Sequence, residues 1–269
     1  MFNTRLATAL VLLAGCITAL FLLPGWLWAV LLLAVLAIAA WEWGVLAGFG
    51  NALRLGYALI IVSSAAAIGL AIAAGIGRSG AVETAVYGAS CVFWLFAVLP
   101  WLVLGGRAQS PYVLGLAGWA VLVPAWLALS RLQVQPAVLL ALLGIVWTAD
   151  SSAYLAGKTW GRHPLAPSIS PAKTWEGVAG AAVGVAVYYA LLYFLAPEWR
   201  WWHGWSGAVL VTGVGLLCVV GDLFESWIKR LAGAKDSGTL LPGHGGILDR
   251  IDSVTSSMPF AALLLLNIR

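Results

Sequence analysis

Hydrophobic side chains run through this chain in long stretches, and polar residues are confined to the gaps between them. An apolar run of about 20 residues has the length of a helix that crosses a bilayer. Nine such runs can be marked, over roughly 5–23, 26–48, 55–77, 84–104, 112–130, 134–156, 176–196, 206–228 and 251–268. Turn residues punctuate them at Pro24-Gly25, Gly48 to Asn51, Gly105-Gly106, Gln135-Pro136 and Pro197. The pattern therefore predicts an all-α integral membrane protein of about nine transmembrane helices. Nearly all chemistry-bearing residues follow the fifth run. Residues 1–133 are thus expected to form an N-terminal transmembrane scaffold of about five helices. Residues 134–269 should form a catalytic region of about four helices and two cytoplasmic loops. The last run is short and contains Pro259.

Composition agrees with the pattern. The 269 residues are 62% hydrophobic and 9% charged, with a mean hydropathy of +0.99, whereas soluble domains carry about 25% charged residues. The first run has Arg5 before it and Leu13-Ala14-Gly15-Cys16 inside it, like a lipoprotein signal. Apolar sequence continues to Leu23, so a membrane helix is expected there instead. Cys16, Cys91 and Cys218 lie in apolar runs without pairing or ligand spacing and read as packing residues. The sixteen tryptophans suit interfacial belts, for example in Glu198-Trp199-Arg200-Trp201-Trp202-His203.

Charge sets the expected orientation. Alternating spans put Arg5, Arg54, Arg107, Lys158, Arg162, Lys173, Lys229, Arg230, Lys235 and Arg250 on one side. Arg78, Arg131, Arg200 and Arg269 fall on the other. Basic residues favour the cytoplasmic side, so the N-terminus and both polar loops should face the cytoplasm.

Seven of the ten acids sit in two stretches on that side. The first runs from Thr148-Ala149-Asp150-Ser151 through Lys158 to Ser170-Pro171-Ala172-Lys173-Thr174-Trp175-Glu176-Gly177. Ser170 is expected to cap a helix with Pro171 at its first position. Lys173 in the first turn would then favour an anion. The second stretch runs from Gly221 to Asp252. Asp222 and Glu225 are three residues apart, as are Asp249 and Asp252, so each pair shares one helix face. Two acid pairs on neighbouring spans could converge on one divalent cation, and all-oxygen ligation suits magnesium. Lys229, Arg230, Lys235 and Arg250 are candidates to hold phosphate oxygens. The Pro242-Gly243-His244-Gly245-Gly246 loop lets backbone approach a ligand, although it lacks the spacing of a nucleotide P-loop. The bland alternative for the whole cluster is an ion-paired loop.

The two stretches resemble the phosphatidate cytidylyltransferases, the CDP-diacylglycerol synthases. The fixed positions of that family's C-terminal pattern are filled by Ser226, Lys229, Arg230, Lys235, Asp236, Gly238, Leu241, Pro242, His244, Gly245, Gly246, Asp249, Arg250 and Asp252. Asp150-Ser151 and Ser170-Pro171-x-Lys173-Thr174-Trp175-Glu176-Gly177 also match, and so does Trp41-Glu42-Trp43. Ser152 and Ala172 depart from it, where glycine and lysine or glycine are expected. The resemblance implies that CTP and phosphatidate give CDP-diacylglycerol and pyrophosphate, with magnesium and an optional second cation. It implies Asp222 and Asp249 as metal ligands, with Asp150, Glu225 and Asp252 as further candidates. Asp222, Asp249, Lys173, Lys229 and Arg250 are the implied catalytic set. Ser170, Lys173, Lys229, Arg230, Lys235, His244, Gly245, Gly246 and Arg250 are the implied substrate contacts. It also implies a multi-pass enzyme of the bacterial inner membrane, its polar active site facing the cytoplasm, as a homodimer and without a nucleic-acid partner.

Two other classes compete. A cation-coupled transporter would use intramembrane acids at Glu42 and Asp150, but should spread charge along a path across the bilayer. A CDP-alcohol phosphotransferase should carry Asp-Gly-x-x-Ala-Arg followed by Gly-x-x-x-Asp-x-x-x-Asp, which is absent. His163, His203 and His244 have no zinc-ligand spacing, and no Gly-x-Ser-x-Gly element points to a hydrolase.

Overall fold

A computed structural model describes residues 13–76, 80–104, 110–196, 204–240 and 245–268. The Glu198–His203 cluster, His244 and the tip of its loop lie outside the described residues. Nine helices occur among those described. They are α1 (Leu13–Leu22), α2 (Gly25–Leu46), α3 (Asn51–Ala73), α4 (Ala81–Leu104), α5 (Pro111–Leu132), α6 (Pro136–Trp160), α7 (Trp175–Leu195), α8 (Trp205–Leu231) and α9 (Leu248–Ile268). Helices α2 to α8 are long and apolar enough to cross a membrane. Helix α9 begins at Leu248, three residues before the expected start, so Asp249 and Asp252 belong to its first turns. Helix α4 passes through a π-turn at Trp94–Val98. The turn ends two residues before Pro100, whose missing N–H disfavours the regular ladder.

One local expectation fails. Ser170 and Pro171 do not open a helix. They belong to strand β2 (Ser170–Thr174), which pairs antiparallel with β1 (Pro164–Ala166). The helix cap lies four residues later, where the Thr174 side chain accepts a hydrogen bond from the Gly177 N–H at 3.1 Å. A proline suits the edge of so small a sheet, since it needs no ladder donor there. Glu176 then closes the hairpin. Its carboxylate accepts from the His163 N–H at 3.2 Å and meets His163 Nδ1 at 2.6 Å. Lys173 consequently stands on a strand, not in a helical first turn.

Helices α6 and α7 form the closest pair. Small residues allow the approach. A Cβ on Gly180 would meet the Ala156 side chain, and one on Gly184 would meet Ser152. Gly177, Gly180 and Gly184 thus let α7 pack closely on α6. Helix α9 packs most on α8 and also touches α4, α5 and α6, which ties both halves of the chain together. Between α2, α4 and α8 lies an aromatic cluster. Phe224, 1% exposed, meets Trp94 at 5.4 Å and Trp227 at 5.7 Å between ring centroids. Trp43 and Trp101 close around the same ring at 6.2 and 6.1 Å. Such rings bury large apolar areas in preferred offset or edge geometries, and here they hold the C-terminal half of α8 in place. The three cysteines are free.

Long-range bonds fasten both α2 and α3 to α5. Trp43 Nε1 donates to the Leu114 carbonyl at 2.7 Å, and Tyr57 Oη of α3 donates to Gly115 at 3.0 Å. Gly118 leaves room for both side chains, since a Cβ there would fall on Tyr57 Oη and Trp43 Nε1. Gly118→Val should therefore destabilise the fold by about 2 kcal/mol or more, the scale of overpacking in a filled core. Thermal unfolding in detergent, compared with Gly88→Val at a glycine with open space beside it, measures the difference.

Candidate active site

Four helices and the hairpin enclose a cavity of about 640 Å³. Helix α6 supplies Asp150, Tyr154 and Lys158, and the hairpin supplies Ser170 and Lys173. Asp222 comes from α8, and Asp249, Asp252 and Ser253 come from α9. Ala149, Ala153, Leu165, Val178, Ala181 and Val219 are among the apolar residues of the wall. The cavity is thus acidic and cationic on one part of its surface and aliphatic on another.

The charged groups are paired across elements. Lys173 Nζ lies 2.7 Å from Asp222 Oδ1 and 3.4 Å from Ser226 Oγ, which ties the hairpin to α8. The Asp222 side chain stays 41% exposed. One helical turn further, Lys229 Nζ bridges Glu225 Oε2 at 2.8 Å and Asp249 Oδ1 at 2.6 Å. All three of these side chains are nearly buried. Asp222, Glu225, Ser226 and Lys229 fall on one face of α8 by their three- and four-residue spacing. Asp249 Oδ2 accepts from the Ser237 N–H at 2.9 Å, the Gly246 N–H at 2.8 Å and Ser237 Oγ at 3.0 Å. Ser253 sits between the remaining acids. Its Oγ donates to Asp150 Oδ1 at 3.3 Å, and its N–H donates to Asp252 Oδ1 at 2.7 Å.

The structure thus brings together Asp150, Ser170, Lys173, Asp222, Asp249 and Asp252 in one cavity, with Glu225 and Lys229 in the adjoining ion-paired layer. The cavity lining does not include Lys229, Arg230, Lys235 or Arg250. Arg230 instead braces the loop. Its Nε donates to the Ile169 carbonyl at 3.2 Å and its Nη1 to Ala234 at 3.4 Å. Gly245 turns the returning chain with φ +80°, a conformation that favours glycine. Gly246 presents its N–H to Asp249.

The donor set is oxygen-rich and suits a hard cation. Among the described residues no three His, Cys, Asp or Glu side chains cage a cation unaided. That is compatible with magnesium, which commonly takes one or two carboxylates and completes its shell with water and phosphate. Glu225 Oε1 is buried with no hydrogen-bond partner, and a buried carboxylate oxygen requires one.

Several participants were not assigned to the site from sequence, among them Tyr154, Ser237 and Ser253. Lys158 lines the cavity, although only its place in the polar stretch marked it. Glu42, on α2, reaches the loop before α9. It accepts from Ser237 Oγ, the Ile247 N–H and the Leu248 N–H at 2.9, 3.0 and 2.9 Å. The available signal was a lone carboxylate between two tryptophans in an otherwise uncharged span.

Comparison with known proteins bears on the whole chain. The model of the cytidylyltransferase family matches residues 3–268. A phosphatidate cytidylyltransferase of Pseudomonas aeruginosa is 39% identical, over 98% of this chain and 97% of its own length. One from Haemophilus influenzae is 30% identical, over 97% of both chains. One from Brucella abortus is 45% identical over 126 residues, which is 46% of this chain and 44% of the relative.

Lys229 is the only described cation paired with Glu225 and with Asp249. Lys229→Met should leave both carboxylates buried without a counter-charge and cost about 3–5 kcal/mol, the scale for breaking a buried pair from one side. Thermal unfolding in detergent should show that loss, and the double variant Lys229→Met/Glu225→Gln should recover part of it.

Proposed function

This chain belongs to the cytidylyltransferase family, and on that premise we propose that the cavity between α6, α7, α8 and α9 is its active site. The protein transfers the cytidylyl group of CTP to phosphatidate and releases pyrophosphate, giving CDP-diacylglycerol. The observation that carries this assignment is the two-sided lining of the cavity. Its aliphatic part suits the glycerol end of a lipid whose tails remain in the bilayer. Its charged part suits phosphates.

The reaction needs little acid–base chemistry. A phosphate monoester has its second pKa near 6, so the attacking oxygen of phosphatidate is largely ionised at neutral pH. That oxygen bonds to the α-phosphorus of CTP, the bond from this phosphorus to the bridging oxygen breaks, and pyrophosphate leaves with the electron pair. The obstacle is the approach of two anions. Lys173 and Lys158 offset it from the cavity wall, and fixed charges of this kind act without reorganising during the step. Ser170 orients a phosphate oxygen beside Lys173. Lys235, His244 and Arg250 would meet the triphosphate from beside the cavity, with the Gly245-Gly246 backbone close to it, whereas Lys229 and Arg230, engaged with carboxylates and with backbone carbonyls, would act by holding the loop that carries them.

Magnesium is the fitting cofactor. Asp222 and Asp249 would hold it, with Asp150 and Asp252 beside them and Glu225 as a donor to a second cation. Bound there, it would neutralise phosphate charge and stabilise the departing pyrophosphate. Lys173 and Lys229 now occupy one oxygen of each principal acid, so both positions already accept a cation.

Under the same reading the protein is a multi-pass enzyme of the bacterial inner membrane, homodimeric, with its active site facing the cytoplasm. The basic side chains gathered at the end of the helices that carries the cavity support that orientation. A transporter path is disfavoured, because Glu42 and Asp150 both bond at this same end.

Asp222→Asn should lower turnover of labelled CTP with phosphatidate by roughly a hundredfold or more, the scale for losing one charge-stabilising group. Its melting temperature should change little, since the Asp222–Lys173 pair is partly exposed. Raised magnesium, or manganese, should restore part of the activity. Undiminished turnover with an unchanged metal requirement would remove Asp222 from the metal site.

Orientation is checked separately. Cysteines introduced by Ser168→Cys and Thr239→Cys should resist an impermeant thiol reagent in intact cells and react once the membrane is opened. Labelling of both from outside would reverse the topology.

A further inference from the structure

We infer that Glu42 is a positioning residue of the catalytic centre: from the scaffold half of the chain, its carboxylate caps α9 and so sets the place of Asp249 and Asp252. The inference rests on the assignment of the active site above.

Glu42 is 5% exposed. Its three donors lie 195, 205 and 206 residues away in the chain. Two of them, the Ile247 and Leu248 N–H groups, stand at the N-terminus of α9, where the first backbone donors have no partner within the helix. A carboxylate at that end satisfies them and meets the positive end of the helix dipole. Most caps come from the residue just ahead of the helix. Here the cap comes from another helix, because Gly246 and Ile247 carry no side-chain oxygen to serve as one.

The cap is joined directly to the active-site acid. Ser237 Oγ lies 2.9 Å from Glu42 Oε2 and 3.0 Å from Asp249 Oδ2. One hydroxyl proton serves one of these acceptors at a time. The Ser237 N–H adds a bond to Asp249 at 2.9 Å. Ser237 is therefore held between a scaffold carboxylate and a catalytic one. The loop is shaped around this contact, since a Cβ on Gly238 or on Gly246 would collide with the Glu42 carboxylate. Glu42 is itself held firmly, because its neighbour Trp43 is anchored to the Leu114 carbonyl and packs on Phe224.

A carboxylate that only stabilised the fold would differ from this one in what its loss disturbs. Glu42→Gln keeps the shape, but its amide nitrogen cannot accept, so at least one capping donor loses its acceptor. The expected result is a fall of roughly tenfold or more in kcat/KM for CTP, the scale of a buried hydrogen bond to a charged group. Faster tryptic cleavage after Lys235, in detergent and without substrate, should accompany it. Ser237→Ala should show the same pair of changes more weakly, and it decides the matter if Glu42→Gln does not fold. Glu83→Gln is the control. It makes the same chemical change in another buried acid, paired with Arg131 at 3.2 Å far from the loop. It should lower the melting temperature while leaving the rate of cleavage after Lys235 unchanged. Wild-type cleavage after Lys235 and wild-type kcat/KM for CTP in both Glu42→Gln and Ser237→Ala would overturn the inference. If the wild-type protein shows no CTP-dependent activity, the proposed function fails, while the cleavage comparison still decides whether Glu42 positions the loop.

Discussion

The bridge from Glu225 through Lys229 to Asp249 is the contact on which the catalytic half depends. A buried charge without a partner costs several kcal/mol, so neither acid can stay inside the helix bundle alone. Lys229 satisfies both from one ammonium group and thereby sets the distance between α8 and α9. Of the acids that line the cavity, Asp222 and Asp252 sit one turn or less from that bridge on the same two helices. The site is accordingly built in two layers. A buried layer of closed ion pairs holds the helix ends together, and an open layer beside it is free to meet ligands.

That arrangement needs rigid support, and the support is apolar. Phe224 precedes Glu225 and points the other way, into rings from α2 and α4. The same turn of α8 therefore offers an acid to the site and an aromatic ring to the scaffold. Packing of this density tolerates little displacement. The N-terminal half packs against the helices of the cavity through such contacts even though it supplies none of the cavity lining.

The parts of this site legible in sequence are those encoded by short spacing. Asp222 with Glu225, and Asp249 with Asp252, read as one-face pairs because three residues on a helix admit only that geometry. The helices were legible for a similar reason, since a bilayer demands long apolar runs. The hairpin was not. Ser170-Pro171 has the local chemistry of a helix start, and what decides against it is a pairing with Pro164–Ala166 that no local rule contains. Glu42 was legible as an anomaly but not as a cap, because its partners are about two hundred residues distant. The division of labour among the cationic side chains was also hidden. Lys158 and Lys173 reach the cavity, whereas Arg230 is spent on backbone carbonyls of the hairpin and the loop. Composition alone makes these residues equivalent.

The two substrates arrive from different phases, and the geometry answers to that. CTP is soluble and highly charged, while phosphatidate cannot leave the bilayer without exposing its tails. A site serving both must open to water on one side and to lipid on another, which forbids sealing it within the bundle. A cavity at the ends of α6, α7, α8 and α9 with a hairpin across it meets the requirement. The helices supply its aliphatic wall, and the hairpin brings Ser170 and Lys173 to it. The hairpin is tied down by pairs that are partly exposed, Lys173 with Asp222 and Glu176 with His163, and such pairs are weak individually. The α8–α9 bridge beneath is nearly buried and strong. Within one small site, the hairpin that admits substrates is thus held by partly exposed pairs, and the helices that carry the acids are held by a nearly buried one.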